Sequence, residues 1–163
     1  MQKTLVNLEE KIIVGLNTNT GYEELSNGST KIADLINNYY GSNIEKDIAN
    51  RKTPGITYSV YSDYTSNYLG NYQYHYGEEV SNSSKVSTNL HKVIIPTGKY
   101  IKFTTEPGKI PNVIIQAWQE IWQLEETNNL GGIRLYNSDF ELYDQRSMDP
   151  NNAVVDIYIG IKE

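Results

Sequence analysis

Residues Ile114–Tyr143 read IIQAWQEIWQLEETNNLGGIRLYNSDFELY and combine a helix pattern with a short strand pattern. Apolar side chains recur in the first part at spacings of three and four, which is typical of one face of an α-helix. Gly131 and Gly132 predict the end of that helix, since glycine commonly follows a helix C-terminus. The later residues predict a strand with Glu141 at its centre. The apolar helix positions are Ile114, Ala117, Trp118, Ile121 and Trp122.

Glu141 is the strongest candidate for a functional side chain. A carboxylate between large apolar residues is costly to bury unless a cation or hydrogen-bond donors meet it. Strand alternation places Glu141 and Tyr143 on one face of the strand, and Phe140 and Leu142 on the other. If the second pair faces the helices, Glu141 is solvated. If Glu141 faces them, it becomes a pocket carboxylate that binds a cationic or hydrogen-bonding ligand among aromatic rings.

The composition limits the possible functions. A chain of 163 residues without cysteine predicts one domain with neither disulfides nor thiolate chemistry. The sequence contains no apolar run of the roughly 20 residues that a membrane span needs, and its N-terminus lacks a secretory pattern, so we expect a cytoplasmic protein. A net charge of −6 argues against nucleic-acid binding and favours neutral or cationic partners.

The order of predicted elements repeats in the two halves of the chain as strand, helix, strand, strand. We expect one repeat over about residues 5–80, a polar linker over residues 81–89 and a second repeat over about residues 90–163. This pattern predicts an α+β fold, in which a curved antiparallel sheet carries two main helices related by a pseudo-twofold axis. A ligand groove is expected where the halves meet.

Tyrosine is the other compositional signal, with 14 tyrosines against two phenylalanines. Tyr61 precedes Tyr76 by fifteen positions, and Tyr143 precedes Tyr158 by the same number. These four are candidates for pocket walls, because tyrosine combines an apolar ring with a hydrogen-bonding tip. The alternative is that they only fill strands, where tyrosine is favoured.

Four segments of the chain resemble the GyrI-like and AraC-type effector-binding domains, over about Leu5 to Lys162. They are IPTGKYIKFTTEPG, IIQAWQEIW, IRLYNSDFELYD and the terminal VDIYIGIK, and YSVYSDYTSNYLGNYQYHYGEEV of the first half is similar too. The resemblance implies the duplicated fold with its pocket at the junction. It also implies that Glu141 lies at the pocket floor, that Trp118 or Trp122 lines the pocket, and that Tyr158 on the last strand belongs to it.

Members of this superfamily suggest three functions. The favoured one is a stand-alone small-molecule-binding protein, regulatory or sequestering, which acts as a monomer or weak dimer and does not contact DNA directly. A hydrolase of strained-ring natural products would use Glu141 to activate water. A protein inhibitor of DNA gyrase would use an outer surface. Because Glu141 has no evident partner acid, we favour binding over catalysis.

Cofactors and metals are not expected. His75 and His91 are the only histidines, and no acidic residues accompany them at ligand spacing. Neither has a recognisable partner for nucleophilic catalysis. Asp139 and Asp144 bracket the strand of Glu141 and are expected to be solvated, whereas Phe103 is expected in the core.

Overall fold

The computed structural model describes residues 1–162, which form one antiparallel nine-stranded sheet and three α-helices. The strands are β1 Gln2–Leu8, β2 Lys11–Gly21, β3 Thr57–Ser62, β4 Asn71–Val80, β5 His91–Ile95, β6 Gly98–Thr104, β7 Ile133–Arg134, β8 Ser138–Tyr143 and β9 Asp156–Lys162. The α-helices are α1 Tyr22–Ser26, α2 Lys31–Gly41 and α3 Asn112–Glu126. Short 3₁₀ helices cover Ile44–Asp47 and Gln145–Ser147.

The strand order shows the duplication. The sheet runs β1-β6-β9-β8-β3-β4-β2-β5, with β7 added beside β9. Strands β2, β3 and β4 of the first half correspond to β6, β8 and β9 of the second. Inward from one outermost strand the order is β6-β9-β8, and inward from the other it is the corresponding β2-β4-β3. The halves join where β3 pairs with β8, with Val60 opposite Phe140. The predicted α+β fold with a duplicated antiparallel sheet is confirmed.

The outermost strands are exchanged between the halves. β1 begins the chain but pairs with β6 of the second half, with Leu5 opposite Ile101. β5 follows the connection at residues 81–89 and pairs with β2 of the first half, with Ile13 opposite Val93. The strand pattern of β1 was not recognised in the sequence, because its side chains are mostly exposed and apolar residues do not alternate clearly with polar ones.

Each of the two long helices buries one face, and that of α3 is the face predicted from its apolar spacing. α2 buries Leu35 and Tyr39, and α3 buries Ala117, Trp118 and Ile121. The prediction that Gly131 and Gly132 end α3 was wrong, since the helix ends at Glu126. Asn128 adopts the left-handed conformation, with φ of 57°, that commonly follows a helix end. None of the helices in residues 1–162 is long and apolar enough to cross a bilayer.

Both long helices pack against the same face of the sheet. The register places Ser59 of β3 opposite Glu141 of β8 on one side and opposite Tyr76 of β4 on the other. Tyr76 packs in the cluster under α2, and Trp118 of α3 reaches Glu141, so this row lies on the helix face. The opposite face has its own core, formed by Ile13, Tyr58, Val60, Val93, Ile95, Tyr100 and Phe140.

Candidate functional site

An apolar groove of about 390 Å³ lies on the helix face, between the two halves. Helix α3 forms one wall, and α1 with the start of α2 forms the other. The end of β3, the β3–β4 connection, the start of β4 and the end of β7 complete the groove. The residues that line the groove are Tyr22, Leu25, Ser26, Ile32, Tyr61, Tyr64, Tyr68, Tyr72, Ile114, Ile115, Trp118, Gln119, Trp122 and Arg134.

Glu141 lies beneath the floor of this groove and is only 2% exposed. Its Oε2 atom accepts hydrogen bonds from the Tyr61 hydroxyl at 2.6 Å and from Trp118 Nε1 at 2.7 Å. Its Oε1 atom accepts from the Tyr143 hydroxyl at 2.5 Å. The donors come from β3, α3 and β8, so the carboxylate joins both halves of the molecule.

Glu141 has no ion pair within the part of the chain that the structure describes. Burial raises the pKa of its carboxyl above the ordinary value, and the hydrogen bonds from Tyr143, Tyr61 and Trp118 oppose that increase. Neutral donors solvate a carboxylate but do not cancel its charge. The charge of ionised Glu141 is therefore not compensated by a cationic side chain of the described residues.

Two aromatic side chains separate Glu141 from the groove. Tyr61 and Trp118 line the groove with their rings, whose centroids are 5.1 Å apart, while their polar atoms bond Glu141. Tyr61 also packs on Tyr72, at 5.2 Å between centroids. The hydrogen bonds to Glu141 fix the position of each ring at the groove. The floor is thus aromatic at its surface and acidic beneath.

A second aromatic group lies at the α1 end of the groove. Tyr68 and Trp122 are stacked, with centroids 4.8 Å apart and planes inclined by 10°. Tyr22 contacts Trp122 edge-on at 5.7 Å. The Tyr68 hydroxyl donates to Glu126 at the end of α3. Tyr22, Tyr68 and Trp122 therefore form an outer aromatic wall.

A buried ion pair borders the groove. Asp139, which is fully buried, accepts hydrogen bonds from Arg134 Nη2 at 2.9 Å and from the Tyr64 hydroxyl at 2.8 Å. Arg134 also bonds Glu125 and lies over the Tyr136 ring, 4.1 Å from its centroid. The expectation that Asp139 is solvated was wrong, because Arg134 compensates its charge in the interior.

A family comparison gives the relationship directly. The sequence model of the family described as "Cass2: Integron-associated effector binding protein" matches residues 4–161, which is nearly the whole chain. The chain belongs to the Cass2 family. This membership agrees with the predicted effector-binding resemblance and supports a small-molecule-binding role.

The individual relatives of this Cass2-family chain have low sequence identity to it. The putative transcriptional regulator protein YobU of Bacillus subtilis (strain 168) is 29% identical over 105 residues, which is 64% of this chain and 63% of that protein. The match therefore spans less than two thirds of that relative's length.

Two solved structures show the same fold. The integron cassette protein VCH_CASS2 of Vibrio cholerae is 22% identical with a TM-score of 0.74, covering 98% of this chain and 95% of that one. SAV2435, solved bound to tetraphenylphosphonium, is 17% identical with a TM-score of 0.77, covering 99% of this chain and 94% of that one.

The structure brings together five of the predicted site residues, Glu141 and four aromatic ones. Tyr61, Trp118 and Trp122 line the groove, and Tyr143 bonds Glu141 from outside the lining. The sequence left open which tryptophan contacts the groove, and both do. Trp118 is nearly buried at 8% exposure and bonds the carboxylate, whereas Trp122 belongs to the outer wall.

Tyr76 and Tyr158 lie elsewhere. Tyr76 shares the face of Glu141, but its hydroxyl bonds Tyr40 at 2.6 Å and Thr57 at 3.0 Å, and it is absent from the groove. Tyr158 is on the opposite face of the sheet, stacked on Phe140 at 4.4 Å. The register of β8 and β9 pairs those two residues, so the fifteen-residue spacing of tyrosines does not preserve the face.

Sequence reasoning missed the groove tyrosines at positions 22, 64, 68 and 72, and it missed Arg134. The only signal for these tyrosines was the high tyrosine content, which does not distinguish a pocket residue from a strand residue. Sequence reasoning also found no partner for His75, whereas the structure places Ser62 Oγ 3.0 Å from the Nε2 atom of His75. Burial lowers the pKa of His75 to about 4, so this pair is a neutral contact of the interior.

Proposed function

We propose that the chain binds lipophilic organic cations in the groove, as one effector-binding domain, with Glu141 as the counter-charge. The observation that carries this proposal is a buried carboxylate with neutral donors alone, directly beneath the aromatic floor of an apolar groove. An aromatic face attracts a cation through its quadrupole, and a carboxylate behind the ring adds to that attraction. A neutral ligand gains only the apolar contact.

The surroundings of the groove support a cationic ligand. The chain has a net charge of −6, and Glu125 and Glu126 lie at the end of α3 beside the outer wall. The two cationic side chains nearby are already paired, Arg134 with Asp139 and Lys31 with Glu24. A field of this sign concentrates cations at the groove and disfavours anions. Tetraphenylphosphonium, the ligand of SAV2435, has this chemistry, with aromatic rings around one positive charge.

Binding would follow from the positions of Tyr61 and Trp118. A cation that stacks on these rings lies close to Glu141 without displacing them. A bulkier cation exchanges one of the two hydrogen bonds for direct contact with Oε2. In either arrangement the positive charge favours ionised Glu141, so the ligand lowers the pKa that burial has raised. Affinity is therefore expected to fall as the pH falls through that pKa.

The test compares two ions of the same shape and opposite charge. Tetraphenylphosphonium should bind in calorimetry and change tryptophan fluorescence, whereas tetraphenylborate should not bind. Glu141→Gln should weaken tetraphenylphosphonium binding by about tenfold or more, as expected for a lost desolvated charge contact. Glu9→Gln, at an exposed position outside the groove, makes the same change in net charge and should leave affinity unchanged. Equal binding of the two ions would refute the proposal.

Hydrolysis is the second candidate function, and the raised pKa of Glu141 is the observation that favours it. A carboxylate with a pKa nearer neutrality is a better general base toward water. Incubation with a cyclopropane-containing electrophile and mass analysis separates the two functions. Recovery of unchanged ligand supports binding, and a product of water addition that requires Glu141 supports hydrolysis. A regulatory or sequestering role would follow from reversible binding, and a topoisomerase partner remains a prediction.

A further inference from the structure

We propose that the groove has a second cation-binding position, built from Tyr22, Tyr68, Trp122 and Glu126, so that its preferred ligands are elongated dications. The first position is the one above Glu141, and the inference rests on the proposed function for that position alone. The second position is called the outer station below.

The outer station contains the two features that characterise the inner one. Its aromatic surface is the stacked pair of Tyr68 and Trp122, with Tyr22 edge-on to both at 6.3 and 5.7 Å. Its carboxylate is Glu126, which accepts a hydrogen bond from the Tyr68 hydroxyl. A tyrosine hydroxyl thus connects an aromatic ring to a carboxylate at both positions, as Tyr61 does with Glu141.

The charge of Glu126 is available to a ligand. Its neighbour Glu125 is engaged by Arg134 at 3.2 Å and by the Tyr136 hydroxyl at 2.6 Å. Glu126 is exposed, and within residues 1–162 its contacts include a hydrogen bond from Tyr68 and no ion pair. The outer station is therefore weaker than the inner one, because water screens an exposed carboxylate.

Helix α3 sets the distance between the stations. Trp118 lies over Glu141, Trp122 follows one turn later, and Glu126 one turn after that. Eight residues of α-helix rise roughly 12 Å, which separates Trp118 of the inner station from Glu126 of the outer station along the helix axis. The rings of Trp118 and Trp122 are 6.4 Å apart and both line the groove, which gives an apolar path between the stations. A polymethylene chain with a quaternary ammonium at each end fits this arrangement.

The test uses three quaternary ammonium compounds in calorimetry at low ionic strength. Decamethonium has two charges on a long chain, hexamethonium has two on a shorter chain, and decyltrimethylammonium has one charge on the long chain. Decamethonium should bind about tenfold more tightly than decyltrimethylammonium, which is the gain expected from one exposed cation–π and carboxylate contact. Hexamethonium should show little of this gain, because a linker too short for the span cannot use both positions.

Two variants test whether the higher affinity of decamethonium comes from the outer station. Glu126→Gln should abolish the advantage of decamethonium, so that decamethonium and decyltrimethylammonium bind this variant with similar affinity. Glu120→Gln is the matched control on the same helix, since its carboxylate lies 3.8 Å from the Met1 amino group and outside the groove. It should preserve the advantage. Added salt should reduce the decamethonium advantage, because exposed charges are screened.

The possible outcomes distinguish a failure of the outer station from a failure of the proposed function. If decyltrimethylammonium and tetraphenylphosphonium both fail to bind, the proposed function is wrong. If both bind, but decamethonium has no advantage or keeps its advantage in Glu126→Gln, the inner station stands and the outer station is overturned.

Discussion

Glu141 brings a negative charge into the interior with three neutral donors around it. Asp139, two positions earlier on the same strand, is equally buried but has Arg134 beside it. The contrast shows how two carboxylates on one strand differ in role. Compensated charge at Asp139 ties β7 to β8 and to the β3–β4 connection through Tyr64. Uncompensated charge at Glu141 costs stability, and under the proposed function it attracts the cationic ligand.

At the residue scale, Glu141→Gln is predicted to stabilise the fold at high pH. Because the folded-state pKa of Glu141 is raised, its stabilising contribution is present at low pH and is lost as the pH rises through that pKa. Glutamine does not titrate. At about pH 8 the variant should therefore be more stable, by on the order of 1 kcal/mol, and the difference should vanish near the ordinary carboxyl pKa of about 4.3.

Urea unfolding as a function of pH measures this difference. Glu9→Gln removes an exposed carboxylate and should follow the wild-type curve at every pH. A Glu141→Gln protein that is less stable than wild type at about pH 8 would mean that the hydrogen bonds outweigh the cost of burying the charge.

At the scale of elements, the pairing of β2 with β4 depends on two glycines. Gly15 lies opposite Gly77 in the register. A Cβ atom added to Gly77 would lie 2.0 Å from the Val14 carbonyl oxygen, and one added to Gly15 would lie 2.0 Å from the Tyr76 carbonyl oxygen. The two backbones approach each other so closely here that only the Cα hydrogen atoms of glycine fit between them. This contact holds Tyr74 and Tyr76 in position under α2.

Gly77→Ala is therefore predicted to destabilise the protein by about 2 kcal/mol or more, because the backbone of a central strand must move. Gly98→Ala is the control in a strand, since a Cβ atom there meets nothing within 4 Å. It should change the free energy of unfolding by less than about 0.5 kcal/mol. Urea unfolding compares the two, and equal effects would contradict the close approach of β2 and β4.

At the scale of the whole molecule, the two halves are interlocked rather than merely adjacent. Their central strands β3 and β8 pair along six residue pairs, and each half receives its outermost strand from the other. The buried hydrogen bonds of Glu141 also cross this junction. Neither half has a complete sheet without the other. The groove consequently depends on the folding of the entire chain.

This arrangement predicts a single cooperative unfolding transition. Both tryptophans belong to α3 but pack against Tyr61 and Tyr68 of the first half, so fluorescence reports on the junction of the halves, whereas far-ultraviolet circular dichroism reports on the whole backbone. The two signals should give the same urea midpoint and the same slope. A circular dichroism transition with a second step absent from fluorescence would show that part of the sheet unfolds separately from the junction.

Much of the fold could be predicted from the sequence, because local patterns determine the local elements. The apolar periodicity of α3 is visible from neighbouring residues alone. The repeated order of elements follows from such local patterns in the two halves. The odd position of Glu141 between Phe140 and Leu142 was visible in the same way. The division into repeats near residues 81–89 and the cytoplasmic location remain predictions.

Only the tertiary structure decided the exchange of β1 and β5, the face of Tyr158 and the composition of the groove. These depend on strand register and on which distant segments meet. A shift of one residue between β8 and β9 reverses every side chain, and no local pattern specifies that shift. The sequence could therefore identify the acidic residue of the candidate site, but the aromatic lining comes from α1, α3, β3, β4 and the β3–β4 connection, which only long-range packing brings together.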